Sequence, residues 1–207
     1  MKKYLLLSAA FLTLGACSQQ NANGTQNSSS SSSAPDYASV QTPELTRTYT
    51  DPKKQFSIHY PENFIVKKND TLNGNEYEIK GGTSFVFPAS YAPNTTLIDA
   101  KVNIGTSVTC PPLDHPDQSV IGGYPFNTST WTDVAAGNLY EGTVYTSYKD
   151  GKCYVATLDI HSCNLGPDCA PGHTQTFARI PMKALFYKMM QTFRFASETG
   201  TGTTSAS

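Results

Sequence analysis

A chain of 207 residues with a formal net charge of −1 is long enough to bury a core without needing cross-links merely to fold. No basic run could displace counterions from phosphates, so no nucleic-acid partner is expected, and electrostatic adhesion to anionic lipid is equally unsupported. Charged side chains are only 15% and aromatic ones 11%, a balance that favours a β-rich domain over a helical one.

Residues 1–16 read as an export signal. Lys2 and Lys3 form a positive start, and Tyr4 to Leu14 is an apolar run. A bilayer core needs about 20 apolar residues, so this run is too short to span one. Leu14-Gly15-Ala16-Cys17 resembles the lipobox of bacterial lipoproteins. The resemblance implies cleavage before Cys17 and acylation of its thiol, a palmitate-type anchor in which each buried CH₂ contributes about 0.8 kcal/mol. A soluble export signal with a chance cysteine is the competing reading. Ser18 stands where Asp resembles an inner-membrane retention signal, so in a Gram-negative cell the expected site is the outer membrane. Loss of Lys2 and Lys3 leaves 13 of the 15 basic side chains against 16 acidic ones, a mature net charge of −3.

Residues 17–36 are the lipidated cysteine and a tether of Gln, Asn, Gly and Ser, with serine at every position from Ser28 to Ser33. Such a segment has almost nothing apolar to bury and is expected to act as a flexible spacer. Residues 197–207 are rich in Gly, Thr and Ser and are expected to form a loose tail. A single globular α+β domain is expected over 37–196.

Within it, Gln55 to Tyr60 alternates, with Phe56, Ile58 and Tyr60 on one face. Pro61-Glu62-Asn63 predicts a turn and Phe64 to Lys67 the returning strand. Glu76 to Lys80 and Thr83 to Phe87 are strand-like around Gly81-Gly82, which marks a turn or bulge. Leu97 to Val108 predicts a long strand with Ile98, Ala100, Val102, Ile104, Thr106 and Val108 on one side. Thr109 to Gly123 reads as a long Pro-rich loop, either a functional surface or a cover stapled down by Cys110. Phe126 to Thr132 predicts another strand, and a short helix is considered near Asp133 to Gly137.

The clearest hairpin follows. Asn138 to Tyr148 and Cys153 to His161 flank Lys149-Asp150-Gly151-Lys152, and Asp-Gly suits two positive φ angles in succession. Pro181 then opens a helix on which Met182, Leu185, Phe186, Met189, Met190 and Phe193 recur at three- and four-residue spacing. The methionines are read as core filling rather than as a metal or adaptable binding stripe. Hairpin-linked strands with a closing helix predict an antiparallel β-sheet with a C-terminal helix packed on it.

Tyr49-Thr50-Asp51-Pro52 followed by Phe56-Ser57-Ile58-His59-Tyr60-Pro61-Glu62-Asn63-Phe64 resembles the opening of PsbP-like and Mog1-like domains. Phe186 through Thr192-Phe193-Arg194-Phe195 is similar to their last helix and strand. The direct match covers about a fifth of the chain. The resemblance implies an α/β/α sandwich and accessory or binding roles, with no shared catalytic residues to carry over.

Four cysteines besides Cys17 remain: Cys110, Cys153, Cys163 and Cys169. Export to an oxidising compartment and an even count point to two disulfides, with three pairings open. Cys163 and Cys169 bracket a turn-rich loop suited to a local bridge, which would leave Cys110 with Cys153. A sharper reading groups His161, Cys163, Cys169 and His173 as zinc ligands in a zinc-binding or hydrolytic enzyme. Their spacing matches no common finger, and no Cys-x-x-Cys suggests redox exchange. Gly-x-Ser-x-Gly, His-Glu-x-x-His and a phosphate-cradling loop are all missing, His59 alternates outward, and His115 beside Asp114 has no evident nucleophile. The expectation is a non-enzymatic binding or accessory module, without catalytic residues, metal or cofactor, held to a membrane by its N-terminal lipid and serving an envelope protein partner. Trp131, Tyr124, Tyr140, Tyr145 and Tyr148 are candidates for a binding face, with packing as the plainer explanation.

Overall fold

A computed structural model describes residues 37, 39–53, 55–68, 71–73, 78–164, 169 and 175–195. The chain divides into two units, Met1–Ser31 and Ser32–Ser207, and every described residue belongs to the second. The expected signal, Cys17, the tether, the tail and His173 lie outside the described residues.

Eleven strands are described: β1 (Arg47–Thr50), β2 (Phe56–Tyr60), β3 (Ile65–Lys68), β4 (Thr71–Asn73), β5 (Glu78–Val86), β6 (Leu97–Ser107), β7 (Asp117–Ile121), β8 (Tyr124–Ala135), β9 (Asn138–Lys149), β10 (Lys152–Cys163) and β11 (Arg194–Phe195). One α-helix, α1 (Arg179–Gln191), precedes the last of them. Eight strands form one sheet in the order β3-β5-β6-β10-β9-β8-β7, with β4 also on β5. A second sheet has the order β1-β2-β11. Every strand pair is antiparallel, because hairpins rather than crossover helices connect the strands. The predicted antiparallel sheet with a C-terminal helix is therefore present. Among the described residues α1 is the only α-helix, and no helix is long and apolar enough to cross a membrane.

One face of the large sheet is the main core. It presents Phe85, Ala100, Val102, Ile104, Tyr145, Tyr154, Ala156, Leu158 and Ile160, all buried. Against it lie α1, through Met182, Leu185, Phe186, Met189 and Met190, and the small sheet, through Phe56, Ile58 and Phe195. Tyr145 meets Phe186 at 5.1 Å between ring centres, Phe56 stacks on Phe193 at 5.6 Å, and Tyr49 meets Phe85 edge-on at 5.5 Å. The methionines pack the core, as expected. Helix α1 has no side-chain N-cap and no acid in its first turn, so burial rather than local signals holds it. Each fully buried large side chain contributes roughly 1.5–3 kcal/mol.

Several sequence readings are corrected. Gly81-Gly82 lies within β5 as a bulge: Lys80 pairs with Thr106 and Thr83 with Ile104, so two glycines face Gly105, and Gly81 has φ 60°. Ile98 is 47% exposed because the register slips between His161 and Ser162, which turns it out of the predicted row. Val108 lies beyond the end of β6 and is 75% exposed. Asp133 to Ala135 finish β8, and Ala136-Gly137 make its turn with φ 47° and 77°, so no helix forms there. The loop predicted over Thr109 to Gly123 contains β7, joined to β8 by Gly122-Gly123, both at positive φ. Gly-Gly at that spacing is the hairpin signal that the Pro-rich composition obscured.

Candidate functional site

Side chains alternate along a strand, so the odd-numbered residues of β10 point away from α1. Cys153, Val155, Thr157, Asp159, His161 and Cys163 therefore share the sheet's open face. Register extends this face into rows. Ser107, Cys153 and Tyr148 lie in one, and Asn103, Thr157, Val144 and Ser129 in another. Lys101, Asp159, Gly142 and Trp131 form the next, and Asp99, His161, Tyr140 and Asp133 the last.

The two disulfides bind the ends of this face. Cys110 joins Cys153 with a Cα–Cα distance of 5.0 Å, and Cys163 joins Cys169 at 5.6 Å. This is the pairing in which the short loop closes on itself. Cys153 and Cys163 are ten residues apart on one strand, an even separation, so both bridges project on the open side.

The segment 108–116 crosses the open face on its way from β6 to β7. It is fixed by the Cys110–Cys153 bridge, by Leu113, which packs on the cluster of Ile79, Val144, Cys153 and Val155, and by a hydrogen bond from Ser129 Oγ to Asp114 O at 2.8 Å. This segment is thus a stapled cover over the first two rows. His115 within it is exposed at φ 45°, and His59 on β2 is exposed as expected.

From the second row onward the face carries a polar network. Ser84 Oγ donates to Asn103 Oδ1 at 2.7 Å, and Asn103 Nδ2 donates to Asp159 Oδ2 at 2.6 Å. Burial holds the Asp159 carboxyl above the ordinary carboxylate range, while Lys101 and the hydrogen bonds from Thr157 and Asn103 act in the opposite direction. His161 Nδ1 lies 3.1 Å from Asp99 Oδ2, and its Nε2 lies 3.1 Å from Asn138 Oδ1. Asn138 Nδ2 donates to Ala136 O at 3.1 Å, which turns the amide oxygen toward the ring. Both imidazole nitrogens thus have a polar partner within hydrogen-bond distance. Tyr140 stacks on His161 at 4.4 Å and 11°.

Trp131 lies over Gly142. A Cβ built on Gly142 would stand 2.1 Å from Trp131 Nε1 and 2.2 Å from Cε2, so only glycine admits the indole against the backbone. Of the candidate aromatic residues, Trp131 and Tyr140 are partly exposed on this face and Tyr148 is 66% exposed at its far end. Tyr124 and Tyr145 pack on the helix side instead.

The zinc grouping does not assemble from the described residues. Cys163 and Cys169 are bonded to each other, and His161 is engaged by Asp99 and Asn138. Among the described residues no group of three or more His, Cys, Asp or Glu side chains is arranged to hold a metal.

No protein-family model and no curated protein sequence matches the chain. Among solved structures it is similar to a protein from Bacteroides thetaiotaomicron, at 10% identity over 73% of this chain with a TM-score of 0.46. This chain spans about half of that protein, 49% of its length. It is also similar to a cyanobacterial PsbP (CyanoP) from Synechocystis, at 12% identity over 72% of this chain and 91% of that one, with a TM-score of 0.35.

Proposed function

We propose that the chain is a lipid-anchored lipoprotein of the cell envelope, and of its outer membrane if the cell is Gram-negative. Its folded part, of PsbP/Mog1-like architecture, is a non-enzymatic module that binds an envelope component through the open face of its sheet. The anchor rests on Leu14-Gly15-Ala16-Cys17, and the architecture on the Tyr49–Phe64 and Phe186–Phe195 patterns around an antiparallel sheet. The observation that carries the binding role is the half-covered face. A covalently stapled segment covers its apolar rows, and Trp131, Tyr140, Asp159, Lys101 and His161 stand beside that segment, partly exposed. Polar groups held in fixed positions suit recognition, and ordered long connections commonly serve it. The zinc or hydrolytic reading of His161, Cys163, Cys169 and His173 is favoured by no observation.

The test is expression of the full chain with labelled palmitate. The native protein should carry label and sediment with membranes, and Cys17→Ala should lose both. Label retained in Cys17→Ala would refute the anchor. Turnover of an envelope substrate that vanishes on a single substitution in the open face would refute the non-enzymatic reading.

A further inference from the structure

The open face's chemistry points to one class of ligand: we propose that Trp131, Tyr140, Asp159, Lys101 and His161 form a binding site for a neutral saccharide. The inference rests on the reading of the open face as a binding surface. Three features carry it. The first is the platform. Gly142, having no Cβ, lets the Trp131 indole come close against the sheet, and the indole is partly exposed. The C–H face of a pyranose packs on such a surface.

The second is the arrangement of charge. Asp159 stands opposite Lys101 and Asp99 opposite His161 on adjacent strands, which lie about 4.8 Å apart, and Asp133 ends the second row. An anionic ligand resting here meets a carboxylate within one strand spacing, and a cationic ligand meets Lys101. A hydroxyl donates to a carboxylate and accepts from an ammonium or an N–H, so a neutral polyol is the ligand that satisfies both signs.

The third is preorganisation. Asp159 is held through Asn103 from Ser84, and His161 is held by Asp99 and Asn138, so the rim is ordered before anything binds. The two uncovered rows span four strands, a surface of about 7 by 14 Å from strand geometry, which suits two or three sugar rings end to end. The segment 108–116, whose Leu113 packs on the same apolar cluster as Trp131, lies along one long side.

Trp131 is the only tryptophan in the chain, so its emission reports this site alone. The experiment is titration of the full chain, in a detergent without a sugar headgroup, with cellohexaose, chitohexaose, laminarihexaose and maltohexaose. Spermine and a glutamate hexapeptide serve as charged probes. The expected result is saturable quenching or a blue shift of Trp131 with at least one neutral hexasaccharide. Asp159→Ala should weaken that binding at least tenfold, and Trp131→Phe should retain part of it when binding is read by calorimetry. A response to the charged probes alone would overturn the saccharide assignment and leave the open face as a binding surface. Silence of Trp131 and of calorimetry toward every probe would overturn both.

Discussion

The two faces of the large sheet are built by different forces. On the helix side, Phe85, Val102, Ile104, Leu158 and Ile160 meet Met182, Leu185, Phe186 and Met189 in an apolar layer closed by burial alone. On the open side the apolar rows are few. Val144, Val155, Ile79 and Cys153 are covered by a segment that needs a disulfide, one leucine and one hydrogen bond to stay in place. The rest of that side is a polar network. Hydrophobic burial is non-directional and supplies stability. The polar network and the staple contribute less and fix positions more closely. The protein thus draws its stability mainly from one face and holds polar groups in place on the other.

Substitutions on each face should therefore differ in kind. Phe186→Ala removes a fully buried ring from the helix layer and should cost about 3–5 kcal/mol in urea unfolding, with m unchanged if the fold persists. A loss below 1 kcal/mol would show that the helix layer is not the main source of stability. The bridges come next. Cys110–Cys153 closes a loop of 43 residues and Cys163–Cys169 one of 6. Chain entropy makes the first worth about 4 kcal/mol and the second about 2 kcal/mol. Serine at Cys110 and Cys153 should also free the cover and raise acrylamide quenching of Trp131, whereas serine at Cys163 and Cys169 should leave Trp131 unchanged.

Gly142→Ala forces the indole off the sheet and should cost about 1–3 kcal/mol. A red-shifted Trp131 emission would accompany it, and an unchanged spectrum would mean that the indole does not lie on Gly142. The smallest effect concerns Asp159. Its folded carboxyl titrates above the ordinary range, so at pH between the unfolded and folded values the native state holds a proton that the unfolded chain has released. Stability should fall as pH rises from the ordinary carboxylate range through the raised value, then level off. Asp159→Asn should remove that slope and be the more stable form at neutral pH. Parallel urea midpoints across acid and neutral pH for both proteins would sink this account.

Much of the fold was legible because its signals are local. Alternation in β9 and β10, with Asp150 and Gly151 at φ 52° and 73° between them, marked the central hairpin. The 3–4 spacing of Met182 to Phe193 marked the helix. The short helix at Asp133 to Gly137 and the loop reading of Asp117 to Ile121 failed where turn residues were outweighed by composition. Ala136-Gly137 and Gly122-Gly123 are tight turns, and both neighbouring segments are strands.

By itself the sequence determined the sheet-forming runs, the closing helix, the apolar face of that helix and the short reach of Cys163 to Cys169, each over a dozen residues or fewer. It could not determine the site. Asp99 and His161 are 62 residues apart, Asn138 and His161 23, Ser129 and Asp114 15. These meet only because register aligns β6, β10, β9 and β8, and that register is set by cross-strand pairing, with its one shift between His161 and Ser162. Which face α1 would cover was equally undecided, since both faces of β10 carry buried residues. Docking of Leu185 and Phe186 onto one of them left Trp131, Asp159 and His161 on the other.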